Sequence, residues 1–137
     1  MNKSKGFTII ELIVVIAIIA VLAAIVLVNV TGYINKGKDA SARGNLATLL
    51  TDGAQYYDGN GANLYGGFNA STQWSAVNGA LTAPSAGYTF NGYVKADNTA
   101  WCAQITLKNG NTFCSDSTGT KLEKSGGLCN VTSAYCS

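Results

Sequence analysis

The sequence contains no histidine. That removes the commonest metal ligand and the side chain whose charge changes most readily near neutral pH. The four cysteines include no C-x₂-C pair, so a zinc site would need unusual ligand spacings. Asp39, Asp52, Asp58, Asp97, Asp116 and Glu123 are scattered and read as turn or surface residues, with no pair spaced for acid–base work. No catalytic residue, metal or cofactor is expected, and the chain is not expected to be an enzyme. Asp116-Ser-Thr-Gly is the one loose calcium candidate.

Charge is scarce as well: Asp, Glu, Lys and Arg make up 12% of the 137 residues. The net charge of +2 comes from Lys3 and Lys5. Nine basic residues less these two leaves seven, against seven acidic. A surface so balanced has no basic patch to steer a polyanion, so no nucleic-acid partner is indicated. Proline is almost missing: Pro84 is the only one, and none interrupts the first eighty residues.

What is present is a long apolar run, Phe7 to Val28, free of charge from Leu12 onward. It reaches about the 20 residues a membrane-spanning helix needs. Lys3 and Lys5 precede it, which keeps the N-terminus cytoplasmic and sends the rest outward. An ordinary secretory signal places its small cleavage-site residues after the apolar stretch. Here Gly6 comes before it, so a cut after Gly6 leaves the apolar segment in the mature chain. One carboxylate, Glu11, sits inside the run, where a charge costs roughly 2.5–3.5 kcal/mol on insertion scales.

The helix is predicted to continue past the apolar run. Ile34, Ala42, Leu46, Leu49, Leu50, Gly53 and Tyr57 recur at helical spacings and define one apolar face. Lys36, Lys38, Asp39, Arg43 and Asp52 fall mostly elsewhere. A helix from about Phe7 to about Tyr57 is roughly 75 Å long at 1.5 Å per residue. Gly32 and Gly37 suggest a loosened turn near Asn29–Gly37. Asp58 to Gly67 ends the helix, and a short helix is expected around Trp74–Ala80. Strands follow at Tyr88–Lys95, Trp101–Lys108 and Asn111–Ser115, with a further short one around Thr120–Glu123. Asn109-Gly110 reads as a two-residue hairpin turn. The apolar face of this antiparallel sheet needs a cover, and the amphipathic half of the helix supplies it. Tyr33, Tyr56 and Tyr57 are read as covering the sheet and a subunit interface. The fold class is α+β, organised as a leader (1–6), a transmembrane or assembly half of the helix (7–30), an amphipathic half (31–57) and a loop-plus-sheet region (58–137).

The combination of a short basic leader, Gly6, Phe7, Glu11 and the apolar helix resembles the N-terminus of type IV pilins and of pseudopilins of type II secretion and DNA-uptake systems. The resemblance covers about residues 1–30. It implies the type IV pilin fold, with a long N-terminal helix packed on a small antiparallel sheet and a disulfide-bearing tail. It implies cleavage after Gly6 and N-methylation of Phe7 by a prepilin peptidase. It further implies an inner-membrane assembly platform and a homo-polymer built through the N-terminal helices. The location implied is the inner membrane, in a single pass before assembly, and then an extracellular pilus or a periplasmic pseudopilus. Many members carry a proline near the end of the apolar run; this chain does not.

For Glu11, three readings stay open. It neutralises the Phe7 ammonium of an axially offset neighbour and so selects a register; it pairs with its own Phe7 amine; or it is a snorkelling surface carboxylate.

Cys102, Cys114, Cys129 and Cys136 are even in number and sit behind an export signal, which favours disulfides. Of three connectivities, Cys102–Cys114 with Cys129–Cys136 comes first because it closes two local loops. The last of these would resemble the C-terminal disulfide loop of many type IV pilins. The predicted hairpin argues against the first, because it sets Ile105 opposite Cys114 and turns Cys102 to the other face. In that case Cys102 or Cys114 pairs with the tail.

Overall fold

The computed structural model describes residues 6–59 and 62–137. The predicted leader lies outside the described residues except for Gly6. The chain forms two compact units, one up to Lys36 and one from Gly37 to Ser137. The first holds the opening half of helix α1, Ile9–Gly59; the second holds the rest of that helix and the sheet. α-Helical backbone runs unbroken through Gly32, Gly37 and Gly44, so the loosened turn expected near Asn29–Gly37 does not interrupt it.

In the first unit the helix is apolar all round, and every described side chain is exposed. Where the polar residues begin, Asn29 Nδ2 donates to Ile25 O and Thr31 Oγ1 to Leu27 O, both at 3.3 Å. Short polar side chains thus turn back onto helix carbonyls where the apolar run ends.

In the second unit the predicted apolar face is realised from Ala42 onward, whereas Ile34, the first residue predicted for it, is exposed. Ala42, Leu46, Leu49 and Gly53 are buried, and Leu50, Tyr56 and Tyr57 pack at the edge of the core. Asp39 is buried too, contrary to the expectation that it falls off this face. It accepts from the Tyr88 hydroxyl and from Lys108 N–H, each at 2.9 Å. Burial, followed by the bond to Asp39, pushes the Tyr88 phenol up to about 12.

After a 3₁₀ turn, Phe68–Ala70, comes α2, Thr72–Thr82. Ser71 caps α2 by accepting from Trp74 N–H at 3.1 Å. Pro84 disfavours helical backbone at Ala83, where α2 stops. Phe68 is fully buried, with ring centroids of Tyr56, Trp74 and Trp101 5.2–5.5 Å away.

The sheet has four strands in sequence order, all antiparallel: β1 Phe90–Val94, β2 Trp101–Thr106, β3 Thr112–Asp116 and β4 Lys121–Lys124. Trp101, Ala103, Ile105 and Leu107 form its predicted inner face, and all are buried with the helix stripe. Two glycines make room for the tryptophans. A Cβ on Gly53 would lie 2.7 Å from Trp101 Nε1, and one on Gly92 would lie 2.3 Å from Trp74 Cζ2. Arg43 of α1 reaches β4, with its Nε 2.8 Å from Glu123 Oε2.

The hairpin register differs by one residue from the prediction. Leu107 N–H donates to Asn111 O and Gly110 N–H to Leu107 O, so the turn has three residues, Lys108, Asn109 and Gly110. Gly110 has φ +87°, the left-handed position that such loops give to glycine. Phe113, not Cys114, therefore faces Ile105; Cys114 faces Gln104 and Cys102 faces Asp116. Side chains alternate every residue, so this single step brings Cys114 to the same face as Cys102. That outer face is covered by the tail, in a second small core of Ala100, Cys102, Cys114, Leu128 and Ala134.

The first-choice disulfide pairing is overturned. Cys102 bonds to Cys129 and Cys114 to Cys136, with Cα–Cα distances of 5.6 and 5.9 Å. Both sheet cysteines face the tail, so each is stapled to it. The long apolar helix, small antiparallel sheet and paired C-terminal disulfides fit the type IV pilin fold.

Candidate processing and assembly segment

The candidate site is the start of α1. Gly6 and Phe7 lie on exposed backbone without regular structure, just ahead of the helix. A Cβ on Gly6 would meet nothing within 4 Å, and Phe7 is 83% exposed. The peptide bond between them is therefore sterically open.

Glu11 is engaged locally. Thr8 N–H donates to Glu11 Oε2 at 2.8 Å, and the Thr8 hydroxyl donates to the same oxygen at 2.7 Å. In return Glu11 N–H donates to Thr8 Oγ1 at 3.2 Å. Thr8 is the residue before the helix and Glu11 its third, so the pair forms a reciprocal capping box. It satisfies two backbone donors that the first turn would otherwise leave without partners. Sequence reasoning missed this role, although the signal was present: Thr8-Ile-Ile-Glu11 is the T-x-x-E pattern before an apolar run. Glu11 Oε1 has no partner among the described residues, which leaves one oxygen for a further cation.

Beyond the box, the segment offers only hydrocarbon. From Ile9 to Val28 fifteen large apolar side chains stand exposed. Burying each contributes about 1.5–3 kcal/mol, so the segment forgoes roughly 20–45 kcal/mol in water. By length and composition the helix is able to cross a membrane.

The cysteines predicted as disulfide candidates all pair, in the arrangement given above. Among the described residues no cluster of three metal-ligating side chains occurs. The Asp116 loop is not built as a calcium site. Its carboxylate accepts from Thr118 N–H, the Thr118 hydroxyl, Thr120 N–H and Cys136 N–H. Three of these donors converge on Oδ1 and one on Oδ2, so the carboxylate is committed to internal hydrogen bonds. Asp39 and Asp116 are thus internal hydrogen-bond hubs, not surface carboxylates.

No curated protein and no solved structure matches the chain. Residues 1–27 match the family model described as the prokaryotic N-terminal methylation motif. The exposed Gly6–Phe7 bond, the capped Glu11 and the apolar run as far as Leu27 fall inside that match. The chain thus carries the signature of the type IV pilin and pseudopilin prepilins, on a fold that fits theirs.

Proposed function

We propose that this chain is the structural subunit of a type IV pilus. It is cleaved after Gly6 and methylated on Phe7 by a prepilin peptidase. It waits as a single-pass inner-membrane protein, and an assembly platform then polymerises it through its N-terminal helix. It is a substrate in this scheme and catalyses nothing itself.

The observation that carries the reading is the opening stretch of α1, Ile9 to Val28, apolar on every side, whose only carboxylate, Glu11, has one oxygen still unpartnered among the described residues. Lipid satisfies such a surface before assembly, and neighbouring helices satisfy it afterwards. Cleavage creates an ammonium at Phe7. An axially offset neighbour can then present that ammonium to Glu11, which fixes the stagger between subunits.

Shearing surface filaments and weighing their subunit tests the proposal. A subunit that begins at methylated Phe7 in long filaments is the expected result. A processed chain that stays in the cell envelope points instead to a pseudopilin of a secretion or DNA-uptake system.

A further inference from the structure

The four cysteines form a compact cluster in which more than one pairing is within reach. Cys129 and Cys136 face each other directly in an isolated antiparallel bridge. Cys102 and Cys114 occupy diagonal positions on adjacent strands, since Cys102 faces Asp116 and Cys114 faces Gln104. Diagonal neighbours are separated by about 7–8 Å, just beyond the 4.4–6.8 Å that a disulfide spans between Cα atoms. The consecutive pairing, Cys102–Cys114 with Cys129–Cys136, is therefore reached with a small shift of the same backbone.

In the observed pairing, hydrogen bonds that do not involve sulfur also hold the tail against the sheet. Gln104 Oε1 accepts from Leu128 N–H at 2.8 Å and from Cys129 N–H at 2.7 Å. Asp116 Oδ2 accepts from Cys136 N–H at 2.9 Å. Loop closure favours the consecutive pairing first. Its loops span 12 and 7 residues, against 27 and 22 in the observed pairing. An unfolded chain closes the shorter loops roughly three- and sixfold more often.

We infer that the observed pairing is reached by isomerisation from the consecutive one, and that the chain is a substrate of a thiol–disulfide isomerase. The exchange balances without an oxidant. A catalyst thiolate attacks Cys136 Sγ, the Cys129–Cys136 bond breaks, and Cys129 leaves as a thiolate. Cys129 attacks Cys102 Sγ, the Cys102–Cys114 bond breaks, and Cys114 leaves as a thiolate. Cys114 then attacks Cys136 Sγ and expels the catalyst thiolate. Two protein disulfides exist before and after. In the observed pairing each disulfide joins a half-buried tail cysteine, Cys129 or Cys136, to a sheet cysteine that is 0% exposed.

The test reoxidises the full reduced chain in detergent micelles on dilution from urea. A thiol-free oxidant is used alone or followed by a glutathione buffer containing a dithiol isomerase. Samples are quenched by alkylation, and linked peptides are mapped by mass. Cys102–Cys114 and Cys129–Cys136 are expected first, and their conversion is expected to be roughly tenfold faster with isomerase, at constant free-thiol count. Native linkages that form first under oxidant alone, or a conversion rate the isomerase does not change, would overturn the inference. The double variant Cys102→Ser/Cys129→Ser leaves a single possible bond, so its formation needs no isomerase. The isomerase also speeds plain oxidation by glutathione, so the variant measures that part alone: a wild-type conversion accelerated no more than the variant's bond formation would equally overturn the inference.

Discussion

Within one helix, two stretches treat apolar side chains in opposite ways. From Ile9 to Val28 the least exposed large apolar residue, Val15, is still 46% open, whereas Leu46 and Leu49 are 0% exposed. The composition of the opposite faces decides this. The later stretch alternates its leucines and alanines with charged residues, so a sheet buries one stripe and water takes the other. The earlier stretch has no polar side to give to water. A sheet can cover one stripe but not a whole circumference, so only lipid or a ring of other helices completes it. On the proposed function the first stretch would exchange its surroundings, lipid for neighbouring helices, whereas the second keeps the sheet it is packed on.

The largest expected effect breaks the first stretch. Glu11→Gln keeps the capping-box geometry, which Gln also supports, but removes the charge. If the charge sets register, this variant is cleaved normally yet loses filaments, since an unpaired buried ammonium costs roughly 3–5 kcal/mol per subunit. Normal filament yield by electron microscopy would show that capping alone explains Glu11. Next come the close approaches in the second stretch and its sheet. Gly53→Ala and Gly92→Ala each drive a Cβ into a tryptophan and should lower stability by about 1–3 kcal/mol in urea titration. Open glycines such as Gly44 should instead tolerate alanine, or gain from it.

Asp39→Ala tests where the buried stretch begins. It leaves the Tyr88 hydroxyl and Lys108 N–H without their acceptor, at a cost of about 1–3 kcal/mol. The Tyr88 titration should also move down from about 12, read by ultraviolet absorbance. The smallest effect is electrostatic. The Arg43 guanidinium, helped by Asn111 and Asn109, holds Glu123 at about 2, below its ordinary 4.5. A depressed carboxylate stabilises the fold above pH 4.5, and that stabilisation is lost as pH falls from there toward 2. Both side chains are about 30% exposed, which keeps the contribution below about 1 kcal/mol. The stability difference between wild type and Glu123→Gln should shrink over that window.

Periodic features were legible in the sequence: the apolar run, the Ala42–Leu46–Leu49–Gly53 stripe, the inner face of β2 and α2 all follow from spacing. The short strand expected around Thr120–Glu123 is β4. The register was not legible, because Asn109-Gly110 serves two-residue and three-residue turns alike, and one residue of difference reverses every side chain. The first-choice disulfide pairing failed for a different reason: it rested on the closure of short loops, whereas the sheet holds both Cys102 and Cys114 toward the tail, the alternative that the predicted hairpin had left open. Asp39, Gln104 and Asp116 were missed because their partners are backbone N–H groups or distant side chains, which leave no local pattern. Thr8 has a local pattern, T-x-x-E, but the apolar run that follows it reads as a membrane segment, in which Glu11 figures as a charge and not as a cap.

The capping box lies wholly downstream of the Gly6–Phe7 bond, and the backbone donor it satisfies ahead of the helix belongs to Thr8, not to Phe7. Scission at that bond removes none of these interactions. The chain can thus change its terminal charge while the conformation of its first turn stays as it was. On the proposed function, maturation and folding would be separable events: an enzyme would rewrite the electrostatics of the tip on a finished scaffold, and the timing of polymerisation would rest on chemistry alone.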